Sequence, residues 1–481
     1  MLTLRFLGIA VLTATPLLSQ NLGIVDDTLK TMGANVKTIE ISGEGSQYTL
    51  GQNANLNRPW PRFVVKSYVQ AINFDTPAAR EEMVRMQGEN PPRGGGGQPM
   101  IGEQRQIQLV SQGFAWNVAG TNVTPAPAAA PDRTTLLWMT PYGFLKGAKA
   151  NNAREMYLWK DGVRTGVVTF MERGRFVSGE IGGDNLLKRV LTHNPNPVLG
   201  DIEMEVLYSE YKDFAGINFP THILQRQGGH PVLDIRVTDA KPNVAVDIPV
   251  PPAVRAAAAP AVQVSKEQLA PGVWYLTGGT HHSVAVEFAD HVTVIEAPLD
   301  EARSLAVIAE VKSIFPNKPI RYLINTHHHF DHSGGIRTYA AEGATIVTHA
   351  SNKEFYEQAA KLPRSLSLDR MAREQKQFTF QTVTDKHVLS DNTRTLELHH
   401  IPENVHNDGM LVAYLPAEKI LIQADLFTPP ATVATAPPAT LNLATVQLYD
   451  QLQRSKLDVQ RIAPLHGRMT TMAELKTMAG K

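Results

Sequence analysis

Residues 324–335 read INTHHHFDHSGG, placing His327, His328, His329, Asp331 and His332 within six positions. Such a cluster is either a polar surface turn or a metal site, and its context decides between them. Before it, IRYLINT is an apolar stretch of strand character. After it, GGIRTYAAEG reads as a helix closed by Gly343. Further on, ATIVTHA reads as a strand and SNKEFYEQAAKL as a helix, and upstream DEARSLAVIAEVKSIF has apolar residues at helical spacing up to Pro316. Strands alternating with helices across short turns mean α/β layering. In such folds ligands lie at the carboxyl ends of strands, where this cluster sits. Position therefore favours chemistry.

A chain of 481 residues exceeds one ordinary core, so two or three domains are expected. With 43% apolar and 19% charged residues, wholesale disorder is excluded. The formal net charge of zero removes the electrostatic footprint of a nucleic-acid binder. The chain contains no cysteine, which excludes disulfides, thiolate ligands and a cysteine nucleophile. The opening MLTLRFLGIAVLTATPLLSQ has one basic residue, Arg5, then a short apolar run interrupted by Pro16. It reads as a secretory signal over 1–20, giving a periplasmic or secreted protein; no later segment is apolar enough to span a membrane.

Two Pro/Ala tracts, 124–131 and 248–264, read as stiff linkers, the second as the domain boundary. Between Val36 and Asn243, segments such as RFVVKSYVQAINF, DIEMEVLYSEY and PVLDIRVTDA alternate apolar and polar residues between turns. Residues 21–247 are thus expected to form a mainly antiparallel β domain, and 265–481 the α/β domain. The stretch 211–239 faintly resembles the curved half-barrels of lipoprotein-carrier proteins. Gly94–Gly97 follows ENPPR with no strand before it and reads as a flexible loop, not a phosphate cradle.

Of the 16 histidines, 13 follow Val264. Imidazole suits zinc, and a catalytic zinc keeps an open position for water. Residues two apart on an extended segment share a side, so His327 and His329 can hold one cation. Ser333-Gly334-Gly335 supplies flexibility for a turn, letting Asp331 and His332 face a second. Completing two shells needs later ligands. His406 sits in a polar turn, and Asp425 and His466 each follow an apolar segment. No serine stands in a nucleophile-elbow context.

With THHHFDHSGG followed in order by His406, Asp425 and His466, residues 265–481 resemble the metallo-β-lactamase superfamily. The resemblance implies an αββα sandwich holding two zinc ions at one edge. It assigns His327, His329 and His406 to the first metal and Asp331, His332 and His466 to the second. Asp425 would bridge them, and His328 would be no ligand. Relatives often carry Asp where this chain has Glu296, which leaves that residue's role of steadying the metal loop open. His281, His282 and His349 are candidates for substrate contact or support of the ligands, and His399 and His400 for structure.

The function implied is an exported zinc hydrolase of small molecules, in which a metal-bridging hydroxide oriented by Asp331 attacks an ester, lactone or amide carbonyl. Di-iron electron-transfer relatives have Glu at the position of His329, which favours hydrolysis here. Hydrolysis of β-lactams is the alternative within the same chemistry. A carrier protein with a non-catalytic metal domain is the alternative outside it.

Overall fold

A computed structural model describes residues 23–481 apart from Asp161 and Pro260. The expected signal segment, 1–20, lies outside the described residues. The first half of the chain is a 13-stranded sheet in which every pairing is antiparallel. Two meanders build it, and the pairing of Thr38–Tyr48 with His230–Pro242 joins them. Alternate residues of the strands, such as Ile39, Ile41, Val190, Met204 and Val206, turn inward. Helices Ile24–Met32, Ala130–Met139 and Pro141–Ala150 cover that face with Ile24, Leu29, Met32, Leu137, Phe144 and Leu145.

The 13-stranded sheet agrees with the mainly antiparallel β expectation, and one of the helices beside it corrects the reading of the first Pro/Ala tract. Residues 124–131 are no linker: strand Asn122–Pro125 passes through a short turn into helix Ala130–Met139. Pro131 stands in that helix's first turn, where a missing N–H costs nothing and the fixed φ favours the helix. The second tract is largely irregular, but Val250 and Val254 pack on Ile107, Leu109 and Trp116, so it is pinned to the sheet.

The second half is four-layered. A 7-stranded sheet (Ser265–Ala270 to Phe380–Val383) faces a 6-stranded one (Lys386–Ser390 to Thr470–Thr471). Between them Val284, Val286, Ile324 and Val347 pack with Leu398, Leu411, Ala413 and Ile422. Outside the first sheet lie helices Glu301–Ile314, Ile336–Glu342 and Ala350–Ala359, contributing Val307, Val311, Tyr339 and Tyr356. Outside the second lie Leu443–Arg454 and Met472–Met478, contributing Leu448, Leu452 and Leu475. Capping sets the boundaries: Asp300 accepts from Arg303 N at 2.9 Å to start one helix, and Gly343, at φ 97°, ends another. The fold class is α/β, an αββα sandwich preceded by an antiparallel sheet. Among the described residues no helix is long and apolar enough to cross a membrane.

The halves dock at two places. Arg364 Nη2 donates to Val198 O at 2.7 Å, and Asp201 N to Pro363 O at 2.7 Å. At the other place, residues 51–55 lie against 328–331 and 408. Phe330 N donates to Gly51 O at 3.3 Å and Asp408 N to Ala54 O at 2.8 Å.

Candidate metal centre

Three strands aim their carboxyl ends at one edge of the sandwich: Ile320–Ile324 leads into Asn325–His329, Ile420–Gln423 into Asp425, and Arg461–Pro464 into His466. His406 arrives on the loop between strands Thr395–His400 and Leu411–Leu415. Besides Glu296, His327 and His332, two groups of four have their ligand atoms within 4.8 Å of one another: His327, His329, His406 and Asp425; and His281, Asp331, His332 and His466. Asp425 stands between them. Its Oδ2 lies 3.0 Å from His406 Nε2, 3.1 Å from His332 Nε2 and 3.4 Å from His327 Nε2, and its Oδ1 lies 2.7 Å from His466 Nε2.

The far nitrogen of most of these rings is anchored, which fixes the ring and its tautomer. His327 Nδ1 donates to Thr326 Oγ1 at 2.9 Å, His332 Nδ1 to Glu296 Oε2 at 3.0 Å, and His466 Nδ1 to Thr280 O at 3.0 Å. His329 Nε2 donates to Asn53 O at 3.0 Å. On the inner side, His327 Nε2, His329 Nδ1 and His406 Nε2 are buried and make no well-aligned hydrogen bond, although Asp425 Oδ2 stands 3.4 Å from the first and 3.0 Å from the last. Buried nitrogens left in that state are costly unless something absent from the chain satisfies them. Lone pairs converging on one point, from nitrogen and oxygen donors without sulfur, fit a divalent cation of zinc type.

Electrostatics agree. Burial, then the charge of His332, pushes His327 down to about 3; burial and neighbouring His327 and His406 hold His329 well below its usual range. Burial opposes charge on His332 too, but Asp425 and Asp331 outweigh it and lift its pKa well above normal. Burial would raise both carboxylates, yet His332 above all keeps them ionised well below their usual range. The backbone is strained there as well, with Glu296 at φ 75° and Asp425 at φ 62°, a conformation non-glycine residues rarely adopt.

Glu296 is fully buried beneath the cluster and accepts from Thr326 Oγ1, from Asn325 Nδ2 at 3.2 Å and from His332 Nδ1. Glu296 thus supports both His327, through Thr326, and His332. His281 joins the second group outright, its Nε2 3.3 Å from Asp331 Oδ2. His282 and His349 do not reach either group. His282 Nε2 donates to Gly467 O at 2.9 Å, and His349 stacks on His400 at 4.3 Å. His328 has both nitrogens occupied, by Asn53 Oδ1 at 3.2 Å and Asn407 Nδ2 at 3.1 Å.

Two glycine readings need correction. Gly334 and Gly335 have ordinary negative φ; a Cβ there would lie 1.9 Å from Leu299 O and Ser304 Oγ. Close packing, not flexibility, requires them. The run Gly94–Gly97 is not a free loop either: Gly94 N donates to Val405 O at 2.8 Å and Gly95 N to Gln52 O at 2.9 Å.

The sequence reading misses the N-terminal contribution altogether. Besides Asn53 O on His329, Gln52 Nε2 donates to Asp331 Oδ1 at 2.6 Å. A Cβ on Gly95 would lie 3.0 Å from His329 Nδ1. These groups sit in GQNANLNRPW and RGGGG, polar loops with no motif to mark them.

Residues 276–479 match the family model described as the metallo-beta-lactamase superfamily. A curated relative is the 2,4-dinitroanisole O-demethylase subunit alpha of Nocardioides sp. (strain JS1661). It is 26% identical over 164 residues, 33% of this chain and 45% of that protein, so the match spans less than half of the relative's length. Similar solved structures include a metallo-beta-lactamase from Pontibacter korlensis, 18% identical with a TM-score of 0.35, covering 45% of this chain and 98% of that one. Another is the rubredoxin oxygen:oxidoreductase of Desulfovibrio gigas, 15% identical with a TM-score of 0.34, covering 45% and 61%. Both groups of ligand atoms fall within residues 276–479, the part of the chain that matches the metallo-beta-lactamase superfamily model.

Proposed function

We propose that the chain hydrolyses a carboxylic ester, lactone or amide of a small molecule at a pair of divalent cations, zinc foremost. His327, His329 and His406 would hold one cation, Asp331, His332 and His466 the other, with Asp425 between. The observation that carries this reading is the set of anchored rings whose inner nitrogens, three of them without a well-aligned hydrogen bond, converge on Asp425. A cation pair in that place supplies acidified water and a Lewis acid for the carbonyl oxygen.

The chain's own residues do the positioning. Gln52 takes Oδ1 of Asp331, which directs Oδ2 toward His281. Asp331 is there to orient a water and accept its proton. His281, with Thr280 Oγ1 2.8 Å from its Nδ1, is held where that proton can pass outward. The side chains of Asp331 and His466 are 33% and 19% exposed while those of His327 and His332 are fully buried, so water reaches the centre from the Asp331 side. Histidine at 329, not a carboxylate, favours hydrolysis over electron transfer.

The test is His329→Ala. Metal content should fall and turnover of a responsive ester, lactone or amide should drop by more than the ~100-fold typical of losing an outer partner of a ligand. Full metal occupancy with unchanged turnover would remove the assignment, and hydrolysis indifferent to chelators would remove the metal.

A further inference from the structure

A groove of about 570 Å³ reaches His406 from the surface. One wall is the N-terminal segment 87–101, with Met100 and Ile101; the other is 440–444, with Leu441 and Leu443. The size suits a small-molecule ligand. Its lining includes one carboxylate, Glu89, and neither lysine nor arginine. Ile101 is 65% exposed, Leu441 40% and Leu443 41%, so apolar side chains stand in water around a cleft that ends at His406. Grouped exposure of this kind marks a binding surface. The N-terminal wall is also fixed in place: Met100 N donates to Gln87 Oε1 at 2.7 Å, Gln87 Nε2 to Gln98 Oε1 at 2.7 Å, and Gly94 N to Val405 O, next to His406.

We infer that this groove binds the uncharged, apolar acyl portion of the substrate, and that Met100, Ile101, Leu441 and Leu443 set specificity. The inference rests on the hydrolase reading for the position of the carbonyl, and it adds the substrate class. Contact with His406 identifies the occupant, because a chain lying in the groove ends beside a residue of the centre. Absence of a cationic side chain in the wall selects against a carboxylate on that portion. The N-terminal sheet thereby supplies half of the specificity surface.

Two measurements on the full chain test this. With the zinc-loaded protein, kcat/KM for p-nitrophenyl esters from acetyl to octanoyl should climb about fourfold per methylene until the groove is filled. Ile101→Asp and Leu443→Asp should each cut the octanoyl-to-acetyl ratio roughly tenfold or more, with melting temperature unchanged. With the metal-free protein, decanamide should displace the neutral fluorophore N-phenyl-1-naphthylamine at lower concentration than decanoate, and both variants should weaken that displacement. A ratio independent of chain length, or displacement that neither variant alters, overturns the groove and leaves the hydrolase standing. Displacement that responds to the variants in a protein hydrolysing none of the esters keeps the groove and removes the hydrolase.

Discussion

In the C-terminal domain the groups facing the centre are ionisable side chains, whereas the N-terminal sheet reaches it with a backbone carbonyl, a carboxamide and a glycine. Asn53 O holds His329, Gln52 holds Asp331, and Gly95 leaves room beside His329. The division has a physical reason. Asp331, Asp425 and His332 already set the charge of a buried pocket, and another ion would shift every neighbouring pKa. Neutral dipoles can fix a tautomer or aim a carboxylate without that penalty. The N-terminal sheet is thus part of the centre's support.

The sharpest way to break this comparison is from the C-terminal side, at Glu296. Its carboxyl is surrounded by donors from Asn325, Thr326 and His332. Glu296→Gln keeps the shape but turns one acceptor into a donor, setting N–H against N–H. His332 then loses its anchor or changes tautomer, which places hydrogen where a lone pair is needed. The expected result is roughly 10–100-fold weaker metal binding and about 1–3 kcal/mol lower stability. Wild-type metal affinity, measured by competition with a chromophoric chelator, would show that Glu296 is only filler.

Gln52→Ala probes the same question from the other side and should cost less, roughly tenfold in kcat/KM, because the ligands themselves remain. Asp331 keeps its place but loses the bond to Oδ1. Metal in the second group should exchange faster, while that in the first, held by buried rings, should not. If Gln52→Ala matches the wild type in both respects, the N-terminal loop is cover and not support.

What could be read beforehand follows the same divide. His327 to His332 lie in one short segment after an apolar strand, and His406, Asp425 and His466 each sit beside a strand end, so periodicity and spacing expose them. Asn53 acts through its main chain, which any residue possesses, and Gln52 meets Asp331 across 279 positions. No local pattern encodes either. The same holds for helix Ala130–Met139: its proline and alanines suit a linker and a helix start equally, and only packing of Leu137 and Met139 decides.

The smallest expected effect compares two buried carboxylates. Asp425 is held ionised by His332, but Glu81 of the N-terminal sheet has no comparable partner. Glu81 lines a cavity between the sheet and its helices and accepts from Tyr68 Oη at 2.8 Å. Burial raises its pKa; the Tyr68 hydrogen bond and the charge of Arg133 reverse only part of that rise. A carboxyl whose folded pKa exceeds its unfolded value contributes fully below about 4.5, and that contribution is lost as pH rises through the raised value. Glu81 therefore makes the native state less stable at pH 8 than at pH 5. Glu81→Gln keeps an acceptor for Tyr68 and removes the titration, so Tm at pH 8 should rise above the wild type and that part of the pH slope should vanish. Metal content should stay the same, since Glu81 belongs to neither ligand group. A variant that melts lower than the wild type at pH 8, with the slope intact, would mean that the cavity solvates the Glu81 carboxylate as well as the metal centre's charges hold Asp425.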